Sequence, residues 1–129
     1  MKIFALYAAK NKGKTATLNK LIDLFVSVAD RYEINREYET NAYFVVNGKG
    51  ITVCTAGDNN DIISENLDFL KKHDTEVFVS ASRTRGGTVE GLSEFAEKFK
   101  AELVWIEKTE GESNYNLVAS GLVSLKAAI

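Results

Sequence analysis

The chain holds no proline, one cysteine, one histidine, one tryptophan and one methionine among its 129 residues. Each scarcity excludes something. A lone cysteine, Cys54, rules out an internal disulfide and any zinc site built from cysteines. A lone histidine, His73, rules out a catalytic or metal centre built on several imidazoles. It stands in KKHDTE (71–76), a helix-end turn, where a solvated cation near a helix C-terminus is expected. Without proline the chain has no strong breaker, and element ends must be read from Gly, Asn and Thr. No apolar run approaches the ~20 residues of a membrane span, and the run after Met1 is too short for a secretory core with its cleavage site. Excess charge is lacking too. Sixteen Lys and Arg against 18 Asp and Glu give a net −2, which argues against a general nucleic-acid binder. The expectation is a reduced, cytoplasmic protein with no membrane contact.

What is present is ordinary globular material, 45% hydrophobic and 26% charged, in a length suited to one domain over 1–129. KIFALY (2–7) reads as a short buried strand. Leu18, Leu21, Ile22, Phe25, Val28 and Ala29 form the stripe of an amphipathic helix running from about Lys14 to Tyr32. EINREYET (33–40) reads as a polar loop. NAYFVVNGKGITVCT (41–55) holds two β-branched and aromatic runs around Asn47-Gly48, the strongest short hairpin signal. DNNDIISENLDFLKKH (58–73) sets Ile63, Leu67 and Leu70 on one helical face. TEVFVSA (75–81) is a fourth strand. GTVEGLSEFAEKFKAE (87–102) is a helix with Val89, Leu92, Phe95, Ala96 and Phe99 on one side, and LVWIE (103–107) is a fifth strand. NLVASGLVSLKAAI (116–129) closes the chain with Leu117, Leu122 and Leu125 facing inward. Strands alternating with helices after the hairpin predict an α/β fold with parallel strands and helices on both faces.

Three lysines, Lys10, Lys12 and Lys14, crowd AAKNKGKTATL (8–18) although the chain is acidic overall. Read from Ala8, the pattern is Ala, four residues, then Gly13, Lys14 and Thr15, between a strand and an amphipathic helix. Successive backbone N–H groups in such a loop wrap phosphates, and the helix N-terminus adds about half a positive charge. This stretch resembles the Walker A motif of P-loop NTPases, with Ala8 where glycine is usual. The resemblance implies a nucleotide cradle formed by Ala9, Lys10, Asn11, Lys12, Gly13, Lys14, Thr15 and Ala16. Lys14 would reach the β- and γ-phosphates, and Thr15 would ligate Mg²⁺. The alternative is a lysine-rich surface turn.

Two more stretches extend the resemblance. CTAGDNND (54–61) follows the third strand, where P-loop proteins commonly carry an Asp that holds the Mg²⁺ shell. Cys54 fills that position here, and Asp58 lies just past Gly57. Asp58 would contact the Mg²⁺ water shell or the attacking water, or make a turn and cap the next helix, and the two roles are compatible because one side chain can lie beside the phosphates and near a helix start. In SASRTRGGT (80–88), Arg83 and Arg85 suit phosphate oxygens and transferring charge, or form a basic loop. Thr40 stands where G-proteins place a Thr near Mg²⁺, though a plain loop residue explains it as well. Cys54 reads as a buried small hydrophobe and Trp105 as packing. Lys108 and Tyr115, in KTEGESNYN, either meet the base or belong to a solvated loop.

In element order the chain resembles small single-domain bacterial P-loop proteins described only as ATP-binding. The resemblance implies a P-loop-type three-layer sandwich with a five-stranded sheet in the order 2-3-1-4-5, strand 2 antiparallel. It implies a Mg²⁺-dependent, ATP-binding NTPase or phosphotransferase, with Lys14, Asp58, Arg83 and Arg85 in catalysis and Thr15 and Asp58 on the metal. Guanine is disfavoured, because no Asn-Lys-x-Asp follows the fourth strand. The alternatives are a nucleotide-dependent regulatory module with little turnover, acting on a protein partner or as a homodimer, and a small nucleotide kinase. A chain that keeps the fold and binds nothing is the plainest reading.

Overall fold

The computed structural model describes residues 1–7, 14–36, 40–55, 60–82 and 87–107, with the side chains of 14–17, 60–64, 87–88 and 106–107 left aside. Among these residues, six strands and three helices follow one another as β1 (Lys2–Tyr7), α1 (Lys14–Val28), β2 (Arg31–Asn35), β3 (Asn41–Val46), β4 (Lys49–Cys54), α2 (Asn60–Lys71), β5 (Val77–Ser82), α3 (Gly87–Lys98) and β6 (Glu102–Glu107). The strands form one mixed sheet in the order β2-β3-β4-β5-β1-β6. β1 pairs parallel with β5 and β6, and β4 parallel with β5. β3 pairs antiparallel with both β2 and β4, so it alone runs against the rest.

The α/β class, the antiparallel hairpin strand and the helices on both faces agree with the sequence reading. The strand order does not. In the numbering of the five expected strands the observed order is 2-3-4-1-5, because β5 inserts between β4 and β1. A sixth strand, β2, occupies the outer edge where a helix end and a polar loop were expected. Its Tyr32 and Ile34 turn toward the α1 face, with Tyr32 6.2 Å from Phe44 and Ile34 against the core. Helix α1 therefore stops at Val28 rather than Tyr32. At the hairpin tip Asn47 and Gly48 take φ of 51° and 79°, the two positive values that an Asn-Gly turn requires.

Each face of the sheet carries its own core. On one, Leu18, Leu21, Ile22 and Phe25 of α1 pack on Phe4, Leu6, Ala42, Phe44, Ile51, Val53, Val77, Val79 and Ala81. On the other, Leu70 of α2 and Leu92, Phe95 and Ala96 of α3 pack on Ile3, Ala5, Cys54 and Phe78. The strand pattern explains the division. In β1 and β5 alternate residues point to opposite faces, and both strands are central and apolar on both sides. Phe99, expected on the inward side of α3, is 45% exposed. The helix ends one residue before it, and Lys100 turns the chain with φ of 52°. The terminal segment with Leu117, Leu122 and Leu125 lies outside the described residues. Among the described residues no helix is long and apolar enough to cross a membrane.

Candidate functional site

β1, β4, β5 and β6 all end at the same edge of the sheet. Tyr7 of β1 pairs with Ser82 of β5 on one side and with Glu107 of β6 on the other, the last pair of each ladder. Cys54 pairs with Ser80, so β4 stops toward the same edge, two residues short of the end of β5. Arg36 and Thr40, which flank residues 37–39 between β2 and β3, border it too, since Asn41 pairs with Cys54. Every lysine-, arginine- and aspartate-bearing stretch singled out from the sequence therefore leaves or enters the fold here: 8–13 after β1, 56–59 after β4 and 83–86 after β5.

The connections from β1 and β5 depart in opposite directions. From β1 the chain runs through α1 to the β2–β4 side, on one face. From β5 it runs through α3 over β1 to β6, on the other face. Two neighbouring parallel strands whose helices lie on opposite faces open a crevice at their carboxyl ends, the place where open α/β sheets bind ligands. The strands flanking that crevice are β1, which 8–13 follow in the chain, and β5, which 83–86 follow. β4 itself stands one strand farther off, about 10 Å from β1 at the usual strand spacing. In the observed order the strand that leads into the arginine stretch, rather than the one that leads into the Asp58 stretch, is the neighbour of β1.

Helix α1 begins at Lys14, and its first turn contains no acidic residue. Its N-terminal partial positive charge is left for another anion. α3, by contrast, carries Glu90 in its first turn. Lys14, Thr15 and Ala16 occupy the first turn of α1. Ala9, Lys10, Asn11, Lys12, Gly13, Asp58, Arg83 and Arg85 lie outside the described residues, as do Lys108 and Tyr115. Among the described residues no group of three or more His, Cys, Asp or Glu could hold a metal ion.

Cys54 ends β4 with its side chain in the α2/α3 core and no exposure. Burial pushes its thiol well above the ordinary range, because the thiolate would lose its hydration. It behaves as the small hydrophobe expected. One residue on, Thr55 is buried and knits the edge together. Its N–H donates to the Thr40 carbonyl at 3.0 Å, and its Oγ1 accepts from the Thr40 N–H at 3.1 Å. Arg36 Nη1 in turn donates to Thr40 Oγ1 at 3.3 Å. Thr40 is thus a buried clasp between β3 and the end of β4, a role that a single Thr in a polar stretch does not signal.

Two aromatic residues differ from expectation. Trp105, read as packing, is 37% exposed and meets Tyr7 with ring centroids 5.9 Å apart at 80°. His73, read as solvated, lies at the opposite edge of the sheet. Its ring packs against Tyr43 and Phe69, each with centroids 4.5 Å away. Nδ1 donates to the Phe69 carbonyl at 2.9 Å, and Nε2 lies 2.7 Å from Glu33 Oε2. The helix C-terminus was anticipated correctly; the partners across the sheet had no signal in the local sequence. No family model matches the chain, and neither the curated proteins nor the solved structures contain a match to it.

Proposed function

We propose that this protein binds ATP with Mg²⁺ in the crevice between β1 and β5 and acts as an NTPase or phosphotransferase. One observation carries the reading: the strand that ends at the Ala-x₄-Gly-Lys-Thr stretch is one side of the sheet's reversal of connection, and the arginine stretch follows the other. The acid-free first turn of α1 supports it. Backbone amides of Ala9 to Ala16 and the Lys14 ammonium would hold the phosphates. Arg83 and Arg85 would face the transferring group from the neighbouring strand. Mg²⁺ would be held by Thr15, with Asp58 reaching its water shell from one strand farther away. The cation would neutralise phosphate charge.

The test is thermal unfolding with Mg²⁺ and ATP, ADP or GTP, on wild type and Lys14→Ala. A ligand that binds only the folded state at one hundred times its dissociation constant adds about 2.7 kcal/mol, a rise on the order of 10 °C for a chain of this size. The expected result is a rise with ATP that exceeds the rise with GTP and disappears in Lys14→Ala. Unchanged melting with every nucleotide would overturn the proposal.

A second reading is a nucleotide-responsive regulatory module with little turnover. Cys54 favours it, since the resemblance implies a Mg²⁺-holding carboxylate at this point of the sequence and the chain has a buried thiol instead. Steady-state phosphate release separates the two: turnover supports the enzyme, whereas tight ATP binding without release supports the module.

A further inference from the structure

We propose that Trp105, braced by Tyr7, is the surface on which the base of the bound nucleotide stacks; the inference rests on the nucleotide reading above and adds its recognition of the base. Trp105 lies on β6, the edge strand next to β1, and pairs in register with Ala5. On that face Ile3 and Ala5 are fully buried and Leu103 packs against the α2/α3 core. Trp105 does not join that core and remains 37% exposed.

The other exposed large hydrophobics do not share its setting. Phe99 follows α3 at the far edge of the sheet and has Lys98 Nζ 5.6 Å from its ring centroid. Val28 and Tyr32 flank the start of β2, and Met1 precedes β1. Among the described residues Trp105 alone of these stands on a strand adjoining β1, two residues before that strand's end at the ligand-binding edge. Two residues of strand cover about 7 Å, and β6 is about 4.8 Å from β1.

Tyr7 ties this ring to the crevice. It is the last residue of β1 and immediately precedes 8–13. At 80° the two rings meet edge to face, so neither covers the other as a stacked pair would. One ring holds the other in place, and Trp105 keeps 37% of its surface exposed. A flat heteroaromatic base gains most from such a platform, because the face is already fixed and little side-chain freedom is lost on binding. A nucleotide with its phosphates at the start of α1 would cross the end of β1 from the α1 face to the α2/α3 face and set its base against Trp105 on β6.

The chain has a single tryptophan, so its fluorescence reports this ring and no other. The experiment titrates wild type, Trp105→Ala and Trp105→Phe with Mg²⁺-ATP and with Mg²⁺-tripolyphosphate, which has the phosphates and no base. Affinity is read by calorimetry in all three and fluorescence in wild type. The proposal expects ATP, but not tripolyphosphate, to quench Trp105. It expects Trp105→Ala to weaken ATP about tenfold or more while leaving tripolyphosphate within twofold, and Trp105→Phe to keep most of the ATP affinity. ATP binding that leaves the fluorescence and the Trp105→Ala affinity unchanged overturns the base platform and spares the nucleotide reading. Equal losses for ATP and tripolyphosphate overturn it too, as a folding or phosphate effect. Binding of neither ligand to wild type overturns both.

Discussion

Gly50 shows how narrowly one position can be specified. A Cβ built there would overlap the Asp74 carbonyl oxygen, and the neighbouring Tyr43 hydroxyl also crowds the site. The obstruction is backbone, and that backbone is held: Tyr43 Oη donates to the Asp74 carbonyl at 2.9 Å, and the Glu76 N–H donates to the Gly50 carbonyl at 2.9 Å. Gly50→Ala is expected to lower stability by about 3 kcal/mol in urea unfolding, since overpacking must move a hydrogen-bonded turn. Cys54 gives a second expectation. With no exposure and a thiol held protonated by burial, it should resist a thiol-specific reagent at pH 8 in the native protein. It should react only as fast as the molecule unfolds. Rapid labelling without denaturant would contradict its position in the core. The sequence anticipated the buried cysteine from its apolar neighbours. It did not anticipate Thr40 or His73, whose partners lie 15 and 40 residues away.

Among the elements, β2 was the one that local pattern could not supply. RYEIN has two apolar residues among five and no turn signal of its own, and it is exposed along most of its length. It becomes a strand because β3 offers a free edge and because Glu33 reaches His73 beyond α2. That reach suggests a direct test. His73→Ala removes a bond to the Phe69 carbonyl, a contact with Glu33 and two ring contacts. It should cost about 1–2 kcal/mol. Hydrogen exchange should quicken first in Arg31–Asn35 while the amides of β5 stay protected. Equal quickening in both strands would show that the histidine supports the whole fold rather than the edge. Helix ends were the other weak point. α3 stops at Lys98 through a lysine with positive φ, not through the glycine or asparagine that usually announces such a stop.

On the scale of the whole molecule, stability should be graded from the centre of the sheet outward. β1 and β5 pair on both sides, are covered on both faces and contribute Ile3, Phe4, Ala5, Val77, Phe78 and Val79 to the two cores. Their amides should exchange only through global unfolding, and those of β2 through local opening. Ile22→Ala, deep between α1 and the sheet, should cost about 2–5 kcal/mol and lower the midpoint of one cooperative transition. What the sequence by itself determined is local: the β1 strand, the Asn-Gly hairpin, three amphipathic helices, and a lysine-rich turn between a strand and a helix. Those follow from hydrophobic period and turn chemistry, which act over a few residues. Only the tertiary structure decided that β5 lies between β4 and β1, that β2 completes the edge, and that Trp105 stays partly open beside Tyr7. Strand order depends on which apolar faces pair across long loops, and alternation along one strand does not encode its neighbour. That choice set β5, instead of β4, next to β1.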